Sequence, residues 1–218
     1  GGTDAALHPM TVAAFGAMRA LSTRNADPQI ASRPFAPDRD GFVLGEGAGI
    51  LVLERAAHAV ARGVQVLAVL AGSGVTADAY DVARPEPSGA EQERALRLAL
   101  ERASLDPSTV GHVNAHATST PVGDVVEAAV LARTAPSAAV SATKSATGHL
   151  LGGAGGLEAV LTVMALRERW APPTLLPAGV DPELARLGLD VVGPQGRDLP
   201  NLTAAASTSF GFGGHNVA

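Results

Sequence analysis

Hydrophobic and polar positions along the chain fall into alternating blocks of two kinds. Apolar residues at helical spacing predict helices over 9–21, 54–62, 88–103, 124–133 and 157–170. Short apolar runs bounded by glycine, proline or polar clusters predict strands over 42–53, 64–71, 110–115, 138–142, 189–192 and 203–209. Ser88 and Glu91 have the spacing of a capping box at the start of the third helix. Alternation of helices and strands favours a layered α/β fold.

A change in composition at 72–74, where the sequence reads Gly-Ser-Gly, predicts a boundary between two half-domains. We assign residues 1–72 to the end of one half and residues 73–218 to the other. The first five residues are typical of mid-domain sequence, and the last seven stop as a strand begins. We therefore expect both ends to lie inside a longer fold that lacks its last strand here.

Composition limits the classes of function. The chain is 46% hydrophobic and 17% charged, which predicts a substantial core, and its net charge of −5 argues against nucleic acid or a membrane surface as partner. No apolar stretch approaches the ~18 residues of a membrane span, and no signal peptide is visible, so we expect a cytoplasmic protein. The absence of cysteine excludes disulfides, thiolate metal sites and a cysteine nucleophile within the chain.

A glycine-rich loop at 141–156 follows one predicted strand and precedes a predicted core helix. It carries Lys144 and His149 among five glycines, which allow other groups to approach the backbone closely. Lys144 is the only lysine among 16 cationic residues, which suggests a specific use for a compact ammonium group. The alternative is a glycine loop with two incidental polar residues.

Polar or aromatic groups follow three of the predicted strands. His116 follows one, Lys144 and His149 follow another, and Phe212 follows a third. Loops at strand ends of α/β folds commonly converge on one crevice. Neutral imidazoles there can donate hydrogen bonds from Nε2 to an oxyanion. The pattern predicts a site for developing negative charge.

Two further groups of residues support this site. Glu127 is a candidate to hold the Lys144 ammonium, and Asp124 lies on the same face of the predicted helix. Thr118 and Thr120 alternate along an extended segment, so both hydroxyls can face one groove and grip a polar, linear ligand. The run FGFGG at 210–214 would present backbone N–H groups, with a phenylalanine as an apolar gate.

Three motifs carry a resemblance to a known family: NAHATSTPVGD at 114–124, TKSATGHLLG at 143–152 and SFGFGG at 209–214. They resemble motifs of the β-ketoacyl-acyl-carrier-protein synthases, most closely the type II elongating enzymes of fatty acid synthesis. ALSTRN at 20–25 and RDGFVLGEGA at 39–48 resemble the same enzymes. The resemblance implies a thiolase-like fold of five α-β-α-β-α layers, usually as a homodimer, of which this chain covers about half.

The resemblance also implies roles for individual residues. His116 and His149 would be the histidines of a Cys-His-His triad and would stabilise the enolate formed when a malonyl thioester loses carbon dioxide. Lys144 would lie beside them and pair with Glu127. The implied activity is decarboxylative Claisen condensation of an acyl-cysteine enzyme with malonyl-acyl-carrier protein, with no metal and no bound cofactor.

The remaining implied contacts concern the carrier. Thr118 and Thr120 would bind the phosphopantetheine arm of the acyl carrier protein. Phe212 would be the gate, and its N–H would form half of the oxyanion hole. Asp81 and Ala83 stand where the family often has histidine and threonine, which leaves one pantetheine contact open. Ala117 replaces a common glycine.

The family's nucleophilic cysteine lies in its amino-terminal half, so we expect this chain alone to show no condensation. Four alternatives stay open: a non-catalytic subunit of the chain-length-factor type, a ketosynthase of a polyketide pathway, a zinc site and a nucleotide phosphate loop. A zinc site would use His116, His149 and Glu127, but the adjacent Lys144 would repel a dication. The glycines at 148–156 lack the spacing of a phosphate loop.

Overall fold

The structure is a computed structural model that describes all residues from 1 to 218. Seven α-helices alternate with eleven short strands. The helices are α1 (Pro9–Ala17), α2 (Ala56–Ala61), α3 (Ala90–Ala103), α4 (Gly123–Thr134), α5 (Lys144–Thr147), α6 (Ala154–Glu168) and α7 (Pro182–Ala185). The strands are β1 (Gly2–Asp4), β2 (Gly47–Gly49), β3 (Val75–Ala77), β4 (His112–Asn114), β5 (Ala139–Ser141), β6 (Trp170–Ala171), β7 (Asp190–Val191), β8 (Arg197–Asp198), β9 (Ala205–Ser207), β10 (Ser209–Gly211) and β11 (His215–Val217).

A parallel sheet in the order β7-β5-β4-β9 forms the centre of the structure. Val113 on β4 lies opposite Val140 on β5 and Ala206 on β9. The first two of these side chains are fully buried, as expected for a parallel sheet that is covered on both faces. Because the strands are parallel, their carboxyl ends lie at one edge of the sheet, and the loops that follow them can meet there.

Helix α3 covers a second sheet, of order β10-β11-β3, which is antiparallel. Its buried side chains recur at helical spacing, as sequence periodicity predicts. They are Gln92, Ala95, Leu96, Ala99 and Leu100. Two smaller antiparallel pairs, β1-β2 and β6-β8, complete the sheets.

Most predicted helices are present, but two of their ends differ. Helix α1 ends at Ala17, because Arg19 adopts a φ of +55° that no α-helix continues. Helix α3 begins after Gly89, whose φ is +67°. The predicted capping box is wrong: Ser88 accepts the Ala90 N–H at 3.3 Å, and Glu91 pairs with Arg94 instead.

The predicted strand at 64–71 is also wrong. The segment joins no ladder, and Val69 and Leu70 are 76% and 73% exposed. Within 42–53 only β2 is a strand, and Val52 is 84% exposed. A strand needs neighbouring strands or a helix packed on its face to be stable, and no strand of this chain pairs with 64–71. The proposed division at residues 72 and 73 stays a prediction. No helix of the structure combines the length and the apolar character needed to cross a bilayer.

Candidate active site

A pocket of about 650 Å³ opens where the segments that follow β4 and β5 meet β10 and the residues after it. These segments bring together the sequence-predicted residues from three separate parts of the chain. Those that line the pocket are His116, Thr118, Thr120, Asp124, Glu127, His149 and Phe212. Lys144 is 1% exposed and lies behind the pocket wall.

His116 and His149 form the centre of the pocket. Their ring centroids are 5.4 Å apart, and the ring planes are nearly perpendicular, at 87°. Nδ1 of His149 accepts the backbone N–H of Leu151 at 3.3 Å, and Nδ1 of His116 lies 3.4 Å from Nζ of Lys144. A nitrogen that accepts a hydrogen bond carries no proton, so these contacts assign the proton of each neutral ring to Nε2. Each ring therefore has a free Nε2–H donor.

Burial keeps both imidazoles neutral. Desolvation, followed by the Lys144 ammonium, lowers the pKa of His149 to about 3. Desolvation, Lys144 and His149 together hold the pKa of His116 well below the usual value. Two neutral donors can stabilise an oxyanion at pH 7 without the solvation cost of a buried imidazolium.

The expected ion pair between Lys144 and Glu127 is wrong. The ammonium group of Lys144 forms an ion pair with Glu158 on α6 and donates a hydrogen bond to the His116 carbonyl at 2.6 Å. Glu127, the predicted partner, forms no ion pair with it. Sequence reasoning missed Glu158, although it is the only charged residue between 157 and 166. A lone carboxylate inside an apolar helix needs a buried partner.

Glu127 instead holds the backbone of the loop that presents His116. Its carboxylate accepts the N–H groups of His116 at 2.8 Å and Ala117 at 2.6 Å, and the hydroxyl of Thr208 at 2.7 Å. Ala117 has a φ of +21°, which an L-residue rarely adopts without such support. Burial raises the pKa of Glu127, and these donors oppose that shift.

Asp124 holds the next part of the same loop. It accepts the N–H groups of Ser119 at 3.1 Å and Phe35 at 2.8 Å, and both residues have positive φ. Burial raises the pKa of Asp124 to about 7, although these hydrogen bonds and Arg39 act in the opposite direction. The two acids of α4 therefore position the loop by binding its backbone.

Close backbone approach explains two of the glycines near the site. His149 donates its N–H to the Val43 carbonyl at 2.7 Å, which joins the glycine loop to residues 43–45. Gly148 has a φ of +68°, and a Cβ there would lie 3.0 Å from the Val43 carbonyl oxygen. A Cβ at Gly45 would lie 2.4 Å from the carbonyl oxygen of Thr147. Larger residues at these positions would displace His149.

Aromatic rings connect the pocket entrance to the imidazoles. Phe212 is 42% exposed and stacks on Phe15 at 5.9 Å. Phe15 contacts Phe42 at 5.2 Å, and Phe42 meets His149 edge-on at 5.3 Å. Sequence reasoning gave no role to Phe15 or Phe42, although the chain has only five phenylalanines.

The hydroxyls of Thr118 and Thr120 lie 3.2 Å apart on the pocket wall, so both face one groove. Ala83 and Arg84 line another part of the wall, and Asp81 holds them there: it accepts their N–H groups at 2.8 and 3.0 Å and also pairs with the Arg84 guanidinium. These donors hold the pKa of Asp81 at about 2. No group of three or more His, Asp or Glu side chains is arranged to hold a metal ion.

Comparison with known proteins identifies the family. The chain matches the family profile of the β-ketoacyl synthase C-terminal domain over residues 67–176 and that of the β-ketoacyl synthase N-terminal domain over residues 1–59. It is 50% identical to 3-oxoacyl-[acyl-carrier-protein] synthase 2 of Synechocystis sp. over all of this chain and 52% of that protein. The chain thus spans about half the length of the curated relatives it matches.

Solved structures agree with this identification. One is a type II PKS acyl-carrier protein in complex with its ketosynthase bound to the hexaketide; it aligns with a TM-score of 0.93 at 33% identity, over 99% of this chain and 53% of that chain. A β-ketoacyl synthase from Burkholderia phymatum aligns with a TM-score of 0.88 at 40% identity, over 99% of this chain and 52% of that chain. The layered α/β fold is therefore that of ketosynthases, as the motifs implied. The chain belongs to the β-ketoacyl synthase family.

Proposed function

We propose that the protein carrying this chain is a 3-oxoacyl-acyl-carrier-protein synthase that elongates fatty acids. The pair of neutral imidazoles at 5.4 Å, each with its Nδ1 occupied and its Nε2–H free, supports this proposal most directly. Relatives named 3-oxoacyl-[acyl-carrier-protein] synthase 2, about half of whose length this chain spans, support the pathway.

The proposed reaction joins two thioesters. A cysteine thiolate first takes the acyl group from its carrier and forms an acyl-enzyme. Malonyl-carrier protein then loses its carboxylate as carbon dioxide, and the electron pair moves onto the thioester as an enolate. The Nε2–H groups of His116 and His149 stabilise the enolate oxygen. The enolate carbon attacks the acyl carbonyl, the cysteine thiolate leaves, and the product is 3-oxoacyl-carrier protein.

The nucleophile in this proposal comes from outside the 218 residues, which contain no cysteine. Two donors shared by one enolate oxygen favour decarboxylation, because the negative charge develops on that oxygen in the transition state. Lys144 acts through His116: desolvation lowers the pKa of the imidazole most, the Lys144 ammonium lowers it further, and the ammonium donates a hydrogen bond to the His116 backbone carbonyl. We expect the chain alone to show no condensation.

The remaining proposals concern binding of the acyl carrier protein and the oligomeric state. We propose that Thr118 and Thr120 bind the phosphopantetheine arm of the acyl carrier protein, and that Phe212 gates the pocket and donates its N–H to the tetrahedral oxyanion. Their positions on the pocket wall, with the phenylalanine 42% exposed, support these roles. We further propose a cytoplasmic homodimer.

A second candidate is a ketosynthase of a polyketide pathway, since a structure of that kind aligns over 99% of this chain. A saturated acyl-carrier substrate and a polyketide analogue of equal length discriminate between them by their kcat/KM values. A non-catalytic subunit of the chain-length-factor type fits less well, because both imidazoles and their Nδ1 partners are in place.

The proposal is tested with the full-length protein and purified carrier substrates. His116→Ala and His149→Ala should abolish decarboxylation of malonyl-carrier protein while transfer of the acyl group to the cysteine continues. His58→Ala serves as the matched control, because that imidazole is 66% exposed and lies outside the pocket. Unchanged decarboxylation in both pocket variants would refute the proposed role of the histidines.

A further inference from the structure

Gln92 is a polar residue on an otherwise apolar helix face. The other buried positions of α3 are alanine or leucine, and the Gln92 side chain is nevertheless 2% exposed. Its Oε1 atom is buried and accepts no hydrogen bond. Buried amides are normally satisfied, so an unpaired one calls for an explanation.

The position of Gln92 supplies that explanation. Four residues of the chain have a buried side-chain nitrogen or oxygen without a partner: Gln92, His112, Glu158 and Arg197. Of these, only Gln92 lines the pocket that contains the two imidazoles. Gln92 therefore lies in the wall of the pocket in which a substrate would bind, and a rotation of the side chain would bring the carboxamide into contact with that substrate.

The neighbouring polar side chains of this wall already have partners. Asn216 donates to Asp78 at 2.6 Å, and Arg84 pairs with Asp81 at 3.1 Å. Ala83, which also lines the pocket, offers only a methyl group. Gln92 is thus a polar side chain of this wall whose carboxamide oxygen has no partner.

We propose that the carboxamide of Gln92 hydrogen-bonds a secondary amide of the pantetheine arm, an inference that rests on the proposed function. The arm contains two peptide-like amides, each with one donor and one acceptor. A primary carboxamide can donate and accept at once, which matches such a group. Half a turn about its terminal torsion exchanges oxygen and nitrogen, so either atom can meet the ligand.

The test uses the full-length protein and its condensation kinetics. Gln92→Leu and Gln92→Met remove the amide but keep an apolar side chain of similar size. Each should raise KM for malonyl-carrier protein about tenfold, change kcat less than about twofold and leave Tm unchanged or higher. Gln195→Leu, at an exposed position outside the pocket, is the matched control and should leave KM unchanged.

Truncated substrates locate the amide. Malonyl-pantetheine retains both amides, whereas malonyl-N-acetylcysteamine retains only the one nearer the thiol. A KM increase with both substrates assigns Gln92 to the nearer amide, and an increase with malonyl-pantetheine alone assigns it to the farther one. Unchanged KM for every substrate in a folded Gln92 variant would overturn the inference and indicate that a water satisfies the amide.

A second measurement compares the wild type with Gln92→Leu on modified substrates. In malonyl-pantetheine analogues, an ester oxygen replaces the N–H of one amide at a time, which also weakens the remaining carbonyl as an acceptor. The wild type should bind one of the two esters more weakly than the parent by a larger factor than Gln92→Leu does, and an identical loss in both proteins for both esters would overturn the inference. Absence of any condensation by the wild-type protein would instead refute the proposed function itself.

Discussion

Replacing Glu158 by leucine should destabilise the protein strongly, because the substitution leaves the Lys144 ammonium without a charge partner. The side chains of Lys144 and Glu158 are 2% and 3% exposed. Breaking a buried ion pair by removing one partner typically costs about 3–5 kcal/mol. We expect a loss in that range, because only neutral acceptors of His116 would remain within hydrogen-bond distance of the ammonium, namely the carbonyl oxygen at 2.6 Å and Nδ1 at 3.4 Å.

A double-mutant cycle separates this explanation from simple loss of packing. Lys144→Met should also destabilise, since it strands the Glu158 carboxylate, whose pKa burial already raises. The double variant, with both charges replaced by apolar groups, should recover most of the loss. The assay is urea unfolding of the protein that carries this chain, followed by circular dichroism. A loss below about 1 kcal/mol for Glu158→Leu, or strict additivity in the double variant, would refute the reasoning.

The remaining predictions concern pH, backbone and carrier binding. Burial, together with the nearby Arg197 charge, lowers the pKa of His112 to about 4 in the folded state, from a value near 6.5 in the unfolded state. Between pH 6.5 and pH 4 the unfolded state therefore binds a proton at His112 that the folded state does not bind. His112 should therefore lower the free energy of unfolding by about 1.4 kcal/mol for each pH unit of acidification in this range. In plots of the free energy of urea unfolding against pH, the slope for His112→Leu should be smaller than that for the wild type by this amount, and equal slopes would contradict the pKa shift. Gly148→Ala should destabilise by about 1–2 kcal/mol or more, because its φ is +68° and the Val43 carbonyl is close. Gly16→Ala, with open space around its Cβ, should be neutral or stabilising in the same unfolding assay, and equal effects would contradict the argument. Thr118→Val and Thr120→Val should each raise KM for malonyl-carrier protein about threefold to tenfold with little change in unfolding, whereas a fall in kcat alone would speak against arm binding.

The convergence of the site could be predicted from the sequence, because it depends on topology. His116 and His149 follow different strands of one parallel sheet, whose carboxyl ends share an edge. The motifs around them were sufficient to name the residues that line the pocket. The tautomers could not be predicted, because they depend on contacts such as that between Nδ1 of His149 and the Leu151 N–H.

The partner of Lys144 could not be predicted from spacing alone. Glu127 and Glu158 both lie on helices that flank the site, and only packing decides which carboxylate reaches the ammonium. Glu127 and Glu158 lie at similar distances from Lys144 along the chain, but the Glu127 carboxylate is occupied by the backbone N–H groups of residues 116 and 117. The prediction of a strand over 64–71 is wrong for a different reason. An apolar pattern shows that a strand could be buried there, but it does not show whether a neighbouring strand is present to pair with it.

The central claim is that His116 and His149 are both neutral and both protonated at Nε2 at physiological pH. Long-range ¹H–¹⁵N correlation spectra of the full-length protein, labelled with ¹⁵N-histidine and assigned with single-histidine variants, measure this state directly. The structure predicts Nε2–H tautomers for both rings at pH 7, with no protonation of His149 until the pH falls well below 5. An Nδ1–H tautomer or an imidazolium at either residue at pH 7 would contradict the account.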